Sequence, residues 1–332
     1  MTINAAVLGV SGYTGQALVK LLLTHPVFKL TALFSTSIKT DYKKHVPEFA
    51  FADIPEVTAF DIDRCADLDV IFLAVPHTKS MAMVARLMAA HPRLKIIDLS
   101  ADFRIQDRQL YEDNYGVSHD CPHLISDAVY GLPEKYKAQL SSARLCANPG
   151  CYATSMILGV LPLLSQFEGH YPITIDAKSG VSGAGRALKE SSLFCEVQNQ
   201  LSAYSTGTHR HIAELGQETG LTNVLFSPHL IPMERGIESA IYIHLPDISQ
   251  TKLSQLYEDF YSREPFVTVY DSDTSPTTRL VNHTNQCAII PKKQGEFVVV
   301  FSLIDNLIKG ASGQAIQNAN IMCDIDETHG LL

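Results

Sequence analysis

Residues 5–23, AAVLGVSGYTGQALVKLLL, pass from an apolar run through three glycines into a segment of helical period. Residues 5–8 carry only apolar side chains, as a strand covered on both faces requires. From Gln16 onward Ala17, Leu18, Leu21 and Leu22 recur at near-helical spacing, which predicts a helix over 16–23. Between them Gly9, Gly12 and Gly15 stand three apart, with Ser11, Tyr13 and Thr14 interleaved, a variant of the glycine turn that binds dinucleotides. Glycines there permit a tight turn and close approach of backbone to a pyrophosphate, whose charge is met at the helix start. A strand-to-helix turn without ligand is the bland alternative.

Outward from this turn, residues 28–34, 69–75 and 95–99 read as further buried strands and 80–90 as a helix, an alternation that predicts a parallel sheet with helices on both faces. After about residue 150 the texture changes. Strands are expected at 173–177, 239–245, 266–270 and 297–304, and Ile241 to Leu245 alternate in polarity, which fits a mixed or antiparallel sheet packed on one face. The expected fold class is therefore α/β, a doubly wound nucleotide domain, plus an α+β domain with a mixed sheet. A final helix over 309–323 is expected to return to the first domain.

A chain of 332 residues with 46% hydrophobic side chains is long enough for two cores. The net charge of -9, with no lysine- or arginine-rich run, argues against nucleic acid or an anionic membrane as partner. No signal-peptide pattern opens the chain and no apolar stretch nears eighteen residues, so a cytoplasmic protein is expected. The seven cysteines are scattered with no CxxC pair, and reduced thiols are the default.

NAD-selective turns usually carry a carboxylate about 20 residues beyond the glycines. Here that place reads Phe34-Ser35-Thr36-Ser37, with Lys39, Lys43 and Lys44 following. Three hydroxyls and no carboxylate favour NADP; solvated loop residues are the other reading.

Cys146 and Cys151 lie five positions apart in CANPGCYATS. A strand is expected over 144–147 and a helix over 152–164, so Cys146 reads as strand packing and Cys151 falls at a helix start. Unpaired N–H groups and the positive dipole end stabilise a thiolate there, below its ordinary pKa of about 8.5. His209-Arg210-His211 with Glu214 is the second cluster: if 212 onward is helical, His211 and Glu214 share a face, giving a base and its orienter. The bland reading is a solvated loop. Cys151, His209, His211 and His229 are chemically able to hold zinc but match no compact zinc spacing, and no metal is expected. Residues 179–186, SGVSGAGR, form a second glycine-rich loop, either a close approach to a ligand or a plain turn.

GVSGYTGQALVKLL, LSADFR, NPGCYAT, SGVSGAGR, HRHIAEL, PHLIPMERGI and NLIKGASGQAIQNAN occur in this order over nearly the whole chain. Together they resemble the N-acetyl-γ-glutamyl-phosphate reductases of arginine biosynthesis, within a wider group that includes aspartate-semialdehyde dehydrogenase. NPGCYAT and HRHxxEL are the specific signals. The resemblance implies NADPH-dependent reduction of N-acetyl-glutamyl 5-phosphate to the 5-semialdehyde with release of phosphate, through a thioester on Cys151 and with His211 as acid/base. It maps Glu214 onto the motif's glutamate and makes Asn148 and the Cys151 amide candidates for the oxyanion. Arg104 resembles a phosphate-binding position, and Arg235 and Arg210 are candidates for the substrate carboxylate. Ser179, Gly180 and Gly183 resemble residues near the nicotinamide and Asn306 one that meets its carboxamide.

The family plan implies a nucleotide domain of residues 1–148 with 306–332, a catalytic and oligomerisation domain of 149–305, and a homodimer or homotetramer. Ser155 stands where glycine or alanine is expected, and the connection from Tyr204 to His209 is a residue shorter than in some relatives, leaving the role of Tyr204 open. The alternatives are the same chemistry on an aspartyl or aminoadipyl phosphate, and a non-catalytic NADP-sensing protein.

Overall fold

The computed structural model describes residues 2–36, 42–166 and 172–332. Ser37 and Lys39, two of the residues offered for cofactor selectivity, lie outside them. The chain divides into two compact units, 1–149 with 311–332, and 150–310.

In the first unit the strands are β1 (Ile3–Leu8), β2 (Phe28–Phe34), β3 (Val57–Thr58), β4 (Val70–Leu73), β5 (Lys95–Asp98), β6 (Ala128–Tyr130) and β7 (Leu145–Ala147). They form one parallel sheet in the order β3-β2-β1-β4-β5-β7-β6. The order reverses between β1 and β4, and in such sheets ligands bind beyond the carboxyl ends of the strands at that point. Residues 5–8 and 70–73 are fully buried, as their unbroken apolar runs require. The glycine turn follows β1 and the helix Tyr13–Leu23 buries Gly15, Leu18, Val19 and Leu22 on the sheet. The last helix, Gly313–Met322, packs on the same core through Ala315, Ile316 and Ala319.

In the second unit lie β8 (Ile173–Gly180), β9 (Ser202–Ala203), β10 (Val224–Ile231), β11 (Ile237–His244), β12 (Val267–Val269), β13 (Cys287–Gln294) and β14 (Phe297–Ile304). Their order is β12-β13-β14-β11-β8-β10-β9, and the sheet is mixed: β8 with β10 and β12 with β13 run parallel, the other pairs antiparallel. The helix Cys151–Val160, buried on all sides after its first residue, lies against this sheet, with Tyr257 and Tyr261 donating to the carbonyls of Gly159 and Leu158. Ser155 fits there because its hydroxyl meets Ser239 at 2.9 Å and the Ser302 carbonyl at 3.0 Å.

Three expectations need correction. The expected helix 152–164 ends as α-helix at Val160 and continues as a 3-10 turn, since Pro162 cannot donate. The expected 309–323 helix begins as one π turn, Ile308–Ser312. Residues 306–310, given to the nucleotide domain on sequence, belong to the second unit. Asn306 accepts there from Gly236 N at 2.7 Å and donates to Ser182, and Gly310 N donates to Asp305 O. Among the described residues no helix is long and apolar enough to cross a membrane.

The first unit also buries a proton-sharing cluster. Ser80 Oγ lies 2.7 Å from Asp98 Oδ2, 2.9 Å from Asp102 Oδ2 and 2.9 Å from Ser100 Oγ, which is itself 2.8 Å from Asp98 Oδ2. These contacts share two hydroxyl hydrogens, and a proton on Asp98 supplies a third. Asp102, equally buried, accepts from Thr78 N, Ser80 N and Tyr111 OH. Burial, and then the charge of Asp102, push the Asp98 carboxyl up to about 6. The folded state therefore keeps this proton to about pH 6 while the unfolded carboxyl loses it near 4, so stability falls as pH rises through that window. Asp98→Asn should gain on the wild type by ~3 kcal/mol between pH 4 and 7. Thermal melts of both proteins across that range check this; parallel curves would contradict it.

Candidate active site

Cys151 is the first residue of the helix Cys151–Val160, and Gly150, in extended conformation, is its N-cap with no side-chain cap. The first N–H groups of such a helix have no acceptor within it, and they favour negative charge at the cysteine. Cys146, in β7, is fully buried, and burial, reinforced by Asp98, raises its thiol far above the ordinary range. The two cysteines are thus separated as expected: one packed and inert, one partly exposed at a helix start.

His211 opens the helix His211–Thr219, with Glu214 in its first turn. Glu214 is fully buried, and its Oε2 accepts from Gly150 N at 2.9 Å. Its Oε1 lies 3.9 Å from His211 Nε2, an ion-pair distance rather than a hydrogen bond. The carboxylate therefore braces the turn in front of Cys151 and faces the imidazole at ion-pair distance. His211 itself sits against the Gly150 backbone: a Cβ added at residue 150 would lie 2.4 Å from Nε2. Gly310 does the same for the nucleophile, since a Cβ there would lie 2.8 Å from Cys151 Cβ.

His209 accepts from His211 N at its Nδ1, 3.2 Å away, and stacks edge-on against His211, Tyr152, Tyr204 and Phe226. Burial, and then the charge of Arg210, lower its pKa to about 4. His209 is thus neutral at working pH, protonated on Nε2 to leave Nδ1 as acceptor, and serves as packing for His211. Tyr204 now has a place: it donates to Tyr152 OH at 3.4 Å and covers His209. Burial holds Tyr204 up to about 12 and Tyr152 well above its ordinary value, with the nearby Cys151 adding to both, so two neutral phenols flank the thiol.

The remaining expected residues separate into those facing outward and those engaged internally. Arg104 is buried, with Nε on Asn148 O at 2.7 Å and Nη2 on Leu99 O at 2.8 Å. Asn148 donates to Ala311 O and accepts from Asn318, which ties its amide into the first unit. Arg210 is exposed at the cap of the His211 helix, and Arg235 meets Asp305 and Glu234. Asn306 uses both ends of its amide on Gly236 and Ser182. Gly180 and Gly183 have internal reasons to be glycine, Cβ atoms there lying 2.7 Å from Arg235 backbone and 2.8 Å from Ser179 Oγ. Ser179 is buried and donates to Gly180 O. Among the described residues no His, Cys, Asp and Glu cluster is placed to hold a metal ion.

The first glycine turn is different. Gly9 has a positive φ of 96° and passes so close to Ala74 that a Cβ would meet its carbonyl at 2.1 Å; Gly15 packs likewise on Gly9 O. Gly12 has no such neighbour, its added Cβ finding nothing nearer than 3.9 Å. Among the described residues no contact accounts for glycine there, and the helix that follows starts without a side-chain cap. Ser11 and Tyr13 flank this face, Thr14 O accepts from Ser312, and Val10 O accepts from Tyr42, which holds the turn in place. Of the hydroxyls after β2, Ser35 is buried and Thr36 exposed.

A doubly wound nucleotide unit followed by a mixed-sheet unit that opens on a helix-start cysteine defines an oxidoreductase of the semialdehyde dehydrogenase class. Residues 4–143 match the semialdehyde dehydrogenase NAD-binding domain and residues 151–306 the semialdehyde dehydrogenase dimerisation domain. The fold is that of aspartate semialdehyde dehydrogenase II from Vibrio cholerae, with a TM-score of 0.71 at 14% identity over 98% of this chain and 99% of that one. It is also that of the aspartate semialdehyde dehydrogenase of Candida albicans solved with NADP, at 0.66 and 17% over 97% and 99%. The chain is 41% identical to the N-acetyl-gamma-glutamyl-phosphate reductase of Dehalococcoides mccartyi, over 99% of this chain and 97% of that one. It is 43% identical to that of Nitrosococcus oceani, over 99% and 98%. The chain belongs to the N-acetyl-gamma-glutamyl-phosphate reductase family.

Proposed function

We propose that this protein reduces N-acetyl-L-glutamyl 5-phosphate to N-acetyl-L-glutamate 5-semialdehyde with NADPH, in arginine biosynthesis, through a thioester on Cys151. The observation that carries the reading is the group of three at residue 150: a cysteine at an uncapped helix start, an imidazole seated on the glycine before it, and a buried carboxylate on that glycine's N–H. Cys151 Sγ attacks the acyl carbon, the carbon–oxygen bond to phosphate breaks, and a thioester remains. The helix-start amides stabilise the oxyanion at each tetrahedral stage. When bound, the dinucleotide supplies a hydride to the thioester carbon. His211 gives a proton to the resulting oxyanion and takes it back as the carbon–sulfur bond breaks, which frees aldehyde and thiolate. Glu214 favours the protonated imidazole from 3.9 Å.

The site for the dinucleotide is supported by Gly12 and the uncapped helix Tyr13–Leu23, and the preference for NADP by the lack of a carboxylate at residues 34–36. Arg210 and Arg235 are assigned to the substrate's α-carboxylate, and Arg104 to holding the turn ahead of Cys151 through Asn148 O. The match to a dimerisation domain supports a homo-oligomer. In the reverse direction, protein with NADP, phosphate and N-acetylglutamate semialdehyde should form NADPH, followed by its absorbance. Formation with aspartate semialdehyde and not with the N-acetylglutamate aldehyde would overturn the substrate assignment.

A further inference from the structure

We propose that Arg64 reads the 2′-phosphate of the dinucleotide, an assignment that rests on the NADP reading above. In a doubly wound sheet the adenosine ribose lies at the carboxyl end of β2, and an arginine near that end accommodates a 2′-phosphate. That end is well defined here: Phe34 O accepts from Gly9 N at 2.9 Å, Phe34 pairs with Thr58 of β3, and Ser35 N donates to Thr58 O. Arg64, thirty residues further along the sequence, returns to this point. Its Nη1 donates to Thr58 Oγ1 at 2.5 Å, and its guanidinium lies 5.9 Å from the Phe34 ring centre.

These contacts hold the guanidinium beside the end of β2 without neutralising it. Asp61, the nearest acidic neighbour in sequence with Asp63, accepts from Asp63 N instead, and among the described residues no carboxylate pairs with Arg64. One N–H is used on Thr58, and the others have no protein acceptor among the described residues. A guanidinium within cation–π reach of Phe34, the last residue of β2, offers the planar, two-point recognition that a phosphate takes. Of the other candidates among the described residues, the Ser35 side chain is buried and Lys43 donates to Ala52 O at 2.7 Å.

The test is calorimetric titration of the dinucleotide-free protein with NADPH, NADH, 2′,5′-ADP and 5′-ADP, in wild type, Arg64→Ala and Arg64→Lys. Arg64→Ala should weaken NADPH and 2′,5′-ADP about 10- to 100-fold, leave NADH and 5′-ADP within about threefold, and be partly rescued by lysine. Arg64 is exposed, so the variant should melt with the wild type. If wild type prefers NADPH and Arg64→Ala keeps that preference, the assignment to Arg64 is wrong and the cofactor reading stands. If wild type binds NADH as tightly as NADPH, the cofactor reading fails and the Arg64 assignment with it.

Discussion

Cys151→Ser is expected to lower turnover at least ~10^4-fold while dinucleotide affinity and melting temperature stay at wild-type values. The helix start that stabilises a thiolate cannot ionise a serine hydroxyl at neutral pH, and an ester in place of the thioester is a poorer hydride acceptor. The change removes no packing, because Cys151 is partly exposed and the fully buried part of its helix begins at Tyr152. Steady-state rates beside a binding titration separate the two quantities. Activity within tenfold of wild type would mean that the sulfur is not the nucleophile.

Gly150→Ala should cost ~10^2- to 10^3-fold in kcat, the scale of losing a positioned general acid/base. The backbone at residue 150, φ -69° and ψ 146°, suits alanine, so the chain should still fold. The added methyl, however, would lie 2.4 Å from His211 Nε2 and 2.6 Å from its Cε1, and the imidazole must turn away. Cys151 stays at its helix start and should still react with iodoacetamide. A variant that loses turnover and keeps thiol alkylation locates the damage in proton transfer; turnover within threefold of wild type would show that His211 need not sit on Gly150.

Much of this fold was legible because its signals are local. The glycine turn between an apolar run and a helical period is written in consecutive residues, and β4, β5 and β14 are short, mainly apolar runs, while β2 also carries Lys29 and Thr31. Strands carrying a proline were not read: β10 holds Pro228 and β13 holds Pro291, residues that remove a ladder donor and argue against a strand from sequence alone. The two-residue pieces β3 and β9 exist only through pairing with a neighbour, which no local pattern announces.

The site divides in the same way. Cys151, His211 and Glu214 could be read because helix starts and three-residue spacing are sequence properties. What Glu214 bonds to could not, since Gly150 and Glu214 lie 64 positions apart. The steric demands at Gly150 and Gly310, and the return of Arg64 to the end of β2, are likewise products of tertiary folding. Asn148, Asn306 and Arg104 have the right chemistry for ligand contacts, and the polar contacts that each also makes within its own unit are products of the fold that the sequence does not show. A residue type states what a side chain is able to bind; only its neighbours decide what it does bind.

Covalent chemistry at Cys151 is tested most directly by mixing the protein with N-acetylglutamyl phosphate without dinucleotide, quenching in acid and weighing the peptide that carries residue 151. An N-acetylglutamyl adduct on Cys151 is expected, released as aldehyde when NADPH is added before the quench and absent in Cys151→Ser. An unmodified Cys151 peptide in a wild-type sample that turns over with NADPH would contradict it.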